Sequence, residues 1–257
     1  MEWEKINTCV REWMSQARTM ILEGRARKLR VEEKTSRCDL VTNVDRFIEE
    51  FYVSRIRENF PGSRILGEEG DADENLAGFD GLLWIIDPID GTMNFVKQHD
   101  HFASMIAVRE NGADKLGYIL DVAEDRLYWG GPECGVYCND EKMSPPVDVS
   151  LEDGLFGVGG RMLLSNYRNV QDAAEESLGV RIYGSAGIEF IHVLTGKNVS
   201  YLSHLRPWDY AAGKILAETL GLVVKTIDEE PLDMISSSDV LAATKSAYRG
   251  IVKLMNS

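Results

Sequence analysis

Residues 82–95, LLWIIDPIDGTMNF, decide how this 257-residue chain is read. Leu82-Leu83-Trp84-Ile85-Ile86 is too short for a helix and too continuous for a strand with one wet face, which predicts a central strand. Asp87-Pro88-Ile89-Asp90-Gly91-Thr92 follows, with a proline that fixes its own φ and biases Asp87 towards extended geometry. A tight turn is expected there, with Asp87 and Asp90 addressing one centre. Such hard oxygen donors suit magnesium, whereas zinc favours histidine or thiolate. Asp90, Gly91 or Thr92 is expected to cap a helix starting near Met93. Gly91 permits close approach of a ligand, and the first helical amides can hold a phosphate.

Outward from this segment, helical and strand periodicities alternate. Ile6, Val10, Met14, Ala17 and Ile21 predict an amphipathic helix over 3–28, with Trp3 and Trp13 covering its edges. Val44, Phe47, Ile48, Phe51, Ile56 and Phe60 predict a second helix after Asn43, stopped by Pro61-Gly62. The polar stretch 32–39 between them reads as a strand end plus a mobile loop. A short strand over 64–67 delivers Glu68 and Glu69 into a glycine- and acid-rich loop ending near Gly81. Downstream, 102–109, 116–121 and 126–129 predict antiparallel strands with tight connections. After Pro145-Pro146, strands at 154–158, 180–183, 199–202, 223–227 and 240–243 alternate with helices at 164–178, 186–195 and 209–220 and a final helix, which suggests an α/β lobe. Two lobes of one compact unit follow: 1–144, α+β, with most candidate ligands, and 145–257, α/β, with Asp209 and the pocket residues.

The bulk numbers exclude several function classes. With 44% hydrophobic and 27% charged residues, the chain has the composition of a globular protein. Its formal charge of −14 repels nucleic acid and anionic membrane. The densest basic stretch, Arg25-Ala26-Arg27-Lys28-Leu29-Arg30, complements the end of the first helix. Cys9, Cys38, Cys134 and Cys138 form neither a redox CxxC nor a zinc set and are expected to be free thiols. No signal-peptide pattern or membrane-length apolar run is visible, so a cytoplasmic address is expected.

Four acidic stations emerge: Asp45 near the start of the second helix, Glu68 and Glu69 after a strand, the Asp87/Asp90 pair, and Asp209 at the start of a later helix. Each alone could be a helix cap or a surface acid. Together they supply what two divalent ions beside a dianionic ester require.

The ordered motifs Gly67-Glu68-Glu69-Gly70, DPIDGTMNF at 87–95 and WDYAAG at 208–213, preceded by Asp39-Leu40-Val41-Thr42-Asn43-Val44-Asp45, resemble the inositol monophosphatase family across nearly the whole chain. The resemblance implies a two-lobed, five-layer αβαβα sandwich of the inositol monophosphatase/fructose bisphosphatase type, a homodimer, and two or three Mg2+ per active site. It implies metal ligation by Glu68, Asp87, the Ile89 carbonyl, Asp90 and Asp209. Asp45, Thr92 and Glu68 are implied to position and activate water. Substrate contacts are implied for Asp90, Gly91, Thr92, Asp209 and the Gly184-Ser185-Ala186 segment. Lys34 matches the family's mobile-loop lysine, although Ser36-Arg37-Cys38 alters its surroundings. Leu202 occupies the position of the inositol-contacting glutamate of the animal enzymes, and the bacterial members are closer to LxPWDYAAG.

His99 and His101 lack a third histidine nearby and are expected at a surface or helix end, and His192 in local packing. The implied activity is magnesium-dependent in-line hydrolysis of inositol monophosphate by metal-activated water, a phosphoric monoester hydrolysis. The alternatives are a fructose-1,6-bisphosphate, NADP or broad sugar-phosphate phosphatase, and a regulatory binding protein that inherited the fold.

Overall fold

The computed structural model describes residues 2–26, 29–36, 39–70, 73, 76 and 78–256. The readings of Arg27, Lys28, Arg37 and Cys38 fall outside them. Helix α1 (Glu2–Ala26) buries Ile6, Val10, Met14, Ala17 and Ile21 as one stripe. The polar segment after it forms a hairpin, β1 (Val31–Ser36) and β2 (Asp39–Thr42), with Val31 opposite Thr42. The expected loop is thus largely paired strand, because Leu40-Val41-Thr42 supplies a backbone partner and Val41 is buried. Helix α2 (Asn43–Asn59) opens on a Thr42 cap and buries Val44, Ile48, Tyr52 and Ile56.

Both helices cover one face of a seven-stranded sheet formed by β3 (Arg64–Gly67), β4 (Leu82–Asp90), β5 (Ala103–Glu110), β6 (Ala113–Asp121), β7 (Arg126–Gly131), β8 (Gly135–Cys138) and β9 (Glu141–Lys142), in that order. Only β3 and β4 run parallel. The short helix α3 (Thr92–Lys97) links β4 to β5. Along β4, Trp84 and Ile86 face α1 and α2, while Leu83 and Ile85 face the interior of the molecule. Each such burial stabilises the fold by about 1.5–3 kcal/mol, and burial on both faces explains the unbroken apolar run. Strands β8 and β9 were not expected from the sequence: they are short and set off by Gly130, Gly131 and Gly135.

The second half begins with β10 (Leu155–Val158), α4 (Gly160–Leu164), α5 (Val170–Glu176) and β11 (Gly179–Arg181). It continues through α6 (Ala186–Leu194), β12 (Ser200–Leu205), α7 (Pro207–Thr219), β13 (Val223–Thr226), β14 (Ser238–Ala243) and α8 (Lys245–Met255). The expected helix over 164–178 is broken, because Asn166, Arg168 and Asn169 adopt left-handed backbone between α4 and α5. A five-stranded sheet orders as β11-β10-β12-β14-β13, parallel through β12 and antiparallel beyond.

Helices α6 and α7 lie between the two sheets, and α5 and α8 cover the far face of the second. The layers therefore read αβαβα, as expected. Close approach of the middle layer depends on the small residues of WDYAAG. A Cβ on Gly213 would lie 2.2 Å from the Phe190 ring, and one on Gly117 of β6 would lie 2.6 Å from the Ala212 carbonyl. Helix α7 is thereby held against the first sheet, and its N-terminus reaches the end of β4.

Candidate active site

Strand β4 continues past Ile86 to Asp90 through a bulge: Asp87 pairs with Met105 and Asp90 with Ala103, leaving two residues opposite one. Pro88 falls inside this bulge, where a missing N–H costs no ladder bond. The expected tight turn is thus a bulged strand end, which still brings both carboxylates to one place. The alternation that turns Leu83 and Ile85 towards the middle layer carries on to Asp87, facing α7. There Asp87, Asp90 and Asp209 each offer an oxygen within 4.8 Å of the others.

Asp87 is 1% exposed, and its Oδ1 has no hydrogen-bond partner among the described residues. Burial raises its pKa, and the neighbouring Glu68, Asp90 and Asp209 charges raise it further. Asp209 is raised by burial and then by Asp90. Its Oδ2 accepts the Arg206 N–H at 2.8 Å, which anchors it at the start of α7.

Asp90 is pushed up to about 6 by burial, against the opposing pull of its hydrogen bonds. Those bonds come from Ser185 Oγ, from Ala186 N at 3.0 Å and from Gly187 N at 2.8 Å. Asp90 therefore sits at the N-terminus of α6 and does not cap α3, the role considered for it from sequence. Gly91 caps α3 without a side chain, at φ +83°.

This donor set suits a hard divalent cation. It is all carboxylate, with Asp87 and Asp90 buried and Asp209 half-buried, all three resist ionisation, and it includes an oxygen that no donor among the described residues satisfies. Glu68 lies near enough to perturb Asp87, Asp90 and Asp209 but outside their compact group. Its Oε1 instead pairs with Lys34 Nζ at 2.8 Å, and the same ammonium reaches Glu69 Oε1 at 2.5 Å. Although burial pulls the Lys34 pKa down, the two glutamates carry it above its ordinary value. Glu69 is raised to about 7, chiefly by burial.

Asp45 and Thr92 meet beside this cluster. Thr92 Oγ1 lies 3.0 Å from Asp45 Oδ1 and 3.1 Å from the Ile89 carbonyl. The other Asp45 oxygen accepts the Thr42 N–H at 2.9 Å and the Thr42 hydroxyl, closing a capping box at the start of α2. Asp45 is thus a helix-capping residue and a neighbour of Thr92 at once. Burial raises its pKa to about 6, against the hydrogen bonds from Thr42 and Thr92.

A cleft of about 370 Å³ opens from Asp90 and Asp209. Gly184, Ser185 and Ala186 line it, as do Glu189, Ser203 and Arg161, three residues not singled out from sequence. Leu202 does not reach it. Its side chain is fully buried on the opposite face of β12, with Phe156, Val158 and Leu241, while Tyr201 and Ser203 turn towards the cleft. Aligning Leu202 with a substrate-contacting position therefore does not describe this pocket.

The histidines stay outside the carboxylate group. His101 is partly exposed and stacks on Tyr183, and His192 stacks on the same ring at 4.3 Å. Cys9, Cys134 and Cys138 are free thiols.

Layered α/β architecture with a carboxylate cluster where the middle helices meet the first sheet fits a metal-dependent phosphomonoesterase. The chain belongs to the inositol monophosphatase family, whose model matches residues 2–257. It is 38% identical to the inositol-1-monophosphatase of Bacillus subtilis (strain 168), over 97% of this chain and 96% of that one. A solved IMPase/NADP phosphatase complexed with Mg2+ and phosphate superposes with a TM-score of 0.93 at 29% identity, covering 100% of this chain and 97% of the other. A dual specific IMPase/NADP phosphatase bound with D-inositol-1-phosphate gives 0.91 at 28% identity, covering 99% and 96%.

Proposed function

We propose that this chain hydrolyses inositol monophosphate to inositol and inorganic phosphate in the presence of magnesium. Asp87 Oδ1, without a partner among the described residues and within a carboxylate group whose pKa values are raised, supports the magnesium part of this reading, and the likeness to an inositol-1-monophosphatase supports the substrate. Asp87, Asp90, Asp209, Glu68 and the Ile89 carbonyl would hold Mg2+, which when bound neutralises phosphate charge and lowers the pKa of an attacking water.

The chain's own residues supply the remainder. The Thr92 hydroxyl donates to Asp45 Oδ1 at 3.0 Å, so its lone pairs are free to accept a hydrogen bond from a nearby water, and a proton leaving that water can replace the one that Thr92 passes to the Asp45 carboxylate. Asp45, held by Thr42, keeps that hydroxyl in register. The Gly91 and Thr92 amides at the start of α3 would bind the phosphate, while Asp90, Asp209 and the Gly184-Ser185-Ala186 turn, which line the cleft, would border the alcohol. No cysteine or histidine belongs to the carboxylate group among the described residues, in keeping with direct attack by water and no phosphoenzyme.

The solved relatives described as dual specific IMPase/NADP phosphatases give a second reading, a phosphatase that also accepts NADP. Phosphate release from inositol 1-phosphate, fructose 1,6-bisphosphate, NADP and glycerol 2-phosphate, with magnesium and with chelator, tests both readings. Highest kcat/KM for inositol 1-phosphate supports the first. Comparable values for NADP replace it with dual specificity, and no magnesium-dependent release would contradict both.

The proposal also includes a homodimer, the cytoplasmic address, and division into the lobes 1–144 and 145–257. For the address, the support is that no helix among the described residues is long and apolar enough to cross a membrane. For the dimer it is family resemblance alone, which light scattering on the purified protein checks.

A further inference from the structure

The turn that grips Asp90 is itself held from two sides. Tyr183 N donates to Glu189 Oε1 at 2.8 Å, and the Tyr183 carbonyl accepts from Asn94 Nδ2 at 2.7 Å. Asn94 Nδ2 also donates to the His101 carbonyl at 2.8 Å, which ties the turn to α3 and to the start of β5. Gly184, at φ +73°, reverses the chain after Tyr183. Ser185 then lies so near Gly91 that a Cβ there would come within 2.8 Å of Ser185 Cβ. From this turn the Ser185 hydroxyl and the Ala186 and Gly187 amides reach Asp90.

Glu189, one helical turn further along α6, is 1% exposed and lies outside the group of Asp87, Asp90 and Asp209. Space for its carboxyl exists because residue 157 is glycine: a Cβ there would lie 2.6 Å from Glu189 Oε2. A buried acid is costly unless its bonds do something specific. Its Oε2 accepts from Asn198 Nδ2 at 3.4 Å, and the shorter bond from the Tyr183 N–H to its Oε1 is at the root of the Asp90-gripping turn.

We propose that Glu189 is a positioning residue for Asp90: it pins the Tyr183 N–H and so sets the turn whose hydroxyl and amides aim Asp90 towards Asp87 and Asp209. This rests on the reading of Asp90 as a magnesium ligand. The work is done by an acceptor oxygen at the right reach, not by a negative charge. Burial pushes the Glu189 pKa up to about 8, so glutamine is a close stand-in at neutral pH.

Calorimetric Mg2+ binding to the chelator-stripped full chain, with Tm, kcat and half-saturating Mg2+, tests this on Glu189→Gln, Glu189→Met, Ser185→Ala and the Met/Ala double variant. Loss of the acceptor for the Tyr183 N–H, together with the weaker one for Asn198 Nδ2, should lower Mg2+ affinity about tenfold in Glu189→Met, while kcat at saturating magnesium stays within about twofold. Glu189→Gln should bind within about twofold of the parent chain, and the double variant should lose less than the product of the single losses, since both act on one turn.

A folded Glu189→Met with parental Mg2+ affinity would overturn the proposal, as would a Glu189→Gln as impaired as Glu189→Met. Should methionine prevent folding, Glu189→Asp, which shortens the reach while keeping the acid, decides by the same criterion. If the parent chain releases no phosphate from inositol 1-phosphate but Glu189→Met still loses Mg2+ affinity, the substrate reading fails and the positioning role stands.

Discussion

The two ends of the cleft are built on opposite terms. At the carboxylate end Asp87, Asp90 and Asp209 crowd together, and Asp87 keeps an oxygen that no donor among the described residues meets. At the alcohol end the Asp90-gripping turn is fully engaged: Ser185, Ala186 and Gly187 donate to Asp90, and Glu189 accepts from Tyr183. Asp90 belongs to both ends: burial raises it to about 6 against the pull of its donors, whereas at Asp87 burial and the neighbouring Glu68, Asp90 and Asp209 charges all act in the raising direction. Unmet negative charge marks where a cation belongs, and a satisfied network marks the scaffold that aims it.

The sharpest way to break this contrast is to neutralise the bare carboxylate. Asp87→Asn should lower kcat about 10³-fold or more, because metal-assisted charge neutralisation contributes several kcal/mol. In chelator the same variant should melt higher than the parent chain, by about 2–4 °C for each kcal/mol of repulsion removed. Steady-state kinetics and calorimetric melting check the two halves, and parental turnover would refute the contrast.

At the other end, Leu202→Glu should not create an inositol contact. It should destabilise the fold by about 3–5 kcal/mol, since it drives an unpaired acid into the apolar layer behind β12. Urea unfolding measures this. A variant of parental stability with lower KM for inositol 1-phosphate would put residue 202 in the cleft after all.

Thr92→Val removes the hydroxyl between Asp45 and the Ile89 carbonyl, at the border of the two ends. A loss of about 10²-fold in kcat with little change in Mg2+ affinity is expected of a proton-handling group. Equal loss of Mg2+ binding would move Thr92 into the metal-holding set.

The pH dependence of stability probes both ends at once. Asp45 and Asp90 are raised to about 6 and Glu69 to about 7, against values near 4 in an unfolded chain. Between those limits the folded protein keeps protons that the unfolded chain has released, so stability falls as pH rises through about 4 to 7. Tm in chelator should decline across that window. Magnesium, which binds the ionised carboxylates, should flatten the decline. A Tm that rises with pH in chelator would mean that the carboxylates are compensated by charges within the protein.

Much of the carboxylate end was legible in sequence, for physical reasons. An unbroken apolar run ending in two acids around a proline has few uses other than a buried strand that delivers oxygen donors, and WDYAAG joins an acid to the small residues that let α7 approach β6 and α6. The alcohol end was far less legible. Tyr201, Leu202 and Leu205 are all apolar on a strand buried on both faces, so alternation could not say which side chains face the cleft. Glu189 reads in sequence as one acid on an amphipathic helix, and only the fold shows Gly157 and Tyr183 around it. The break between α4 and α5 depends on left-handed Asn166, Arg168 and Asn169, a conformation that asparagine tolerates but does not announce. Asp90 was legible as a ligand candidate, but its grip by α6 joins residues about 95 positions apart.

Anomalous diffraction from crystals soaked in Mn2+ as a magnesium substitute decides whether the bare Asp87 oxygen and its neighbours form a cation site. An anomalous peak in contact with Asp87 Oδ1 and with the Asp90 or Asp209 carboxylate is the expected result. A fully ordered site with no peak there, and manganese bound elsewhere on the chain, would contradict it.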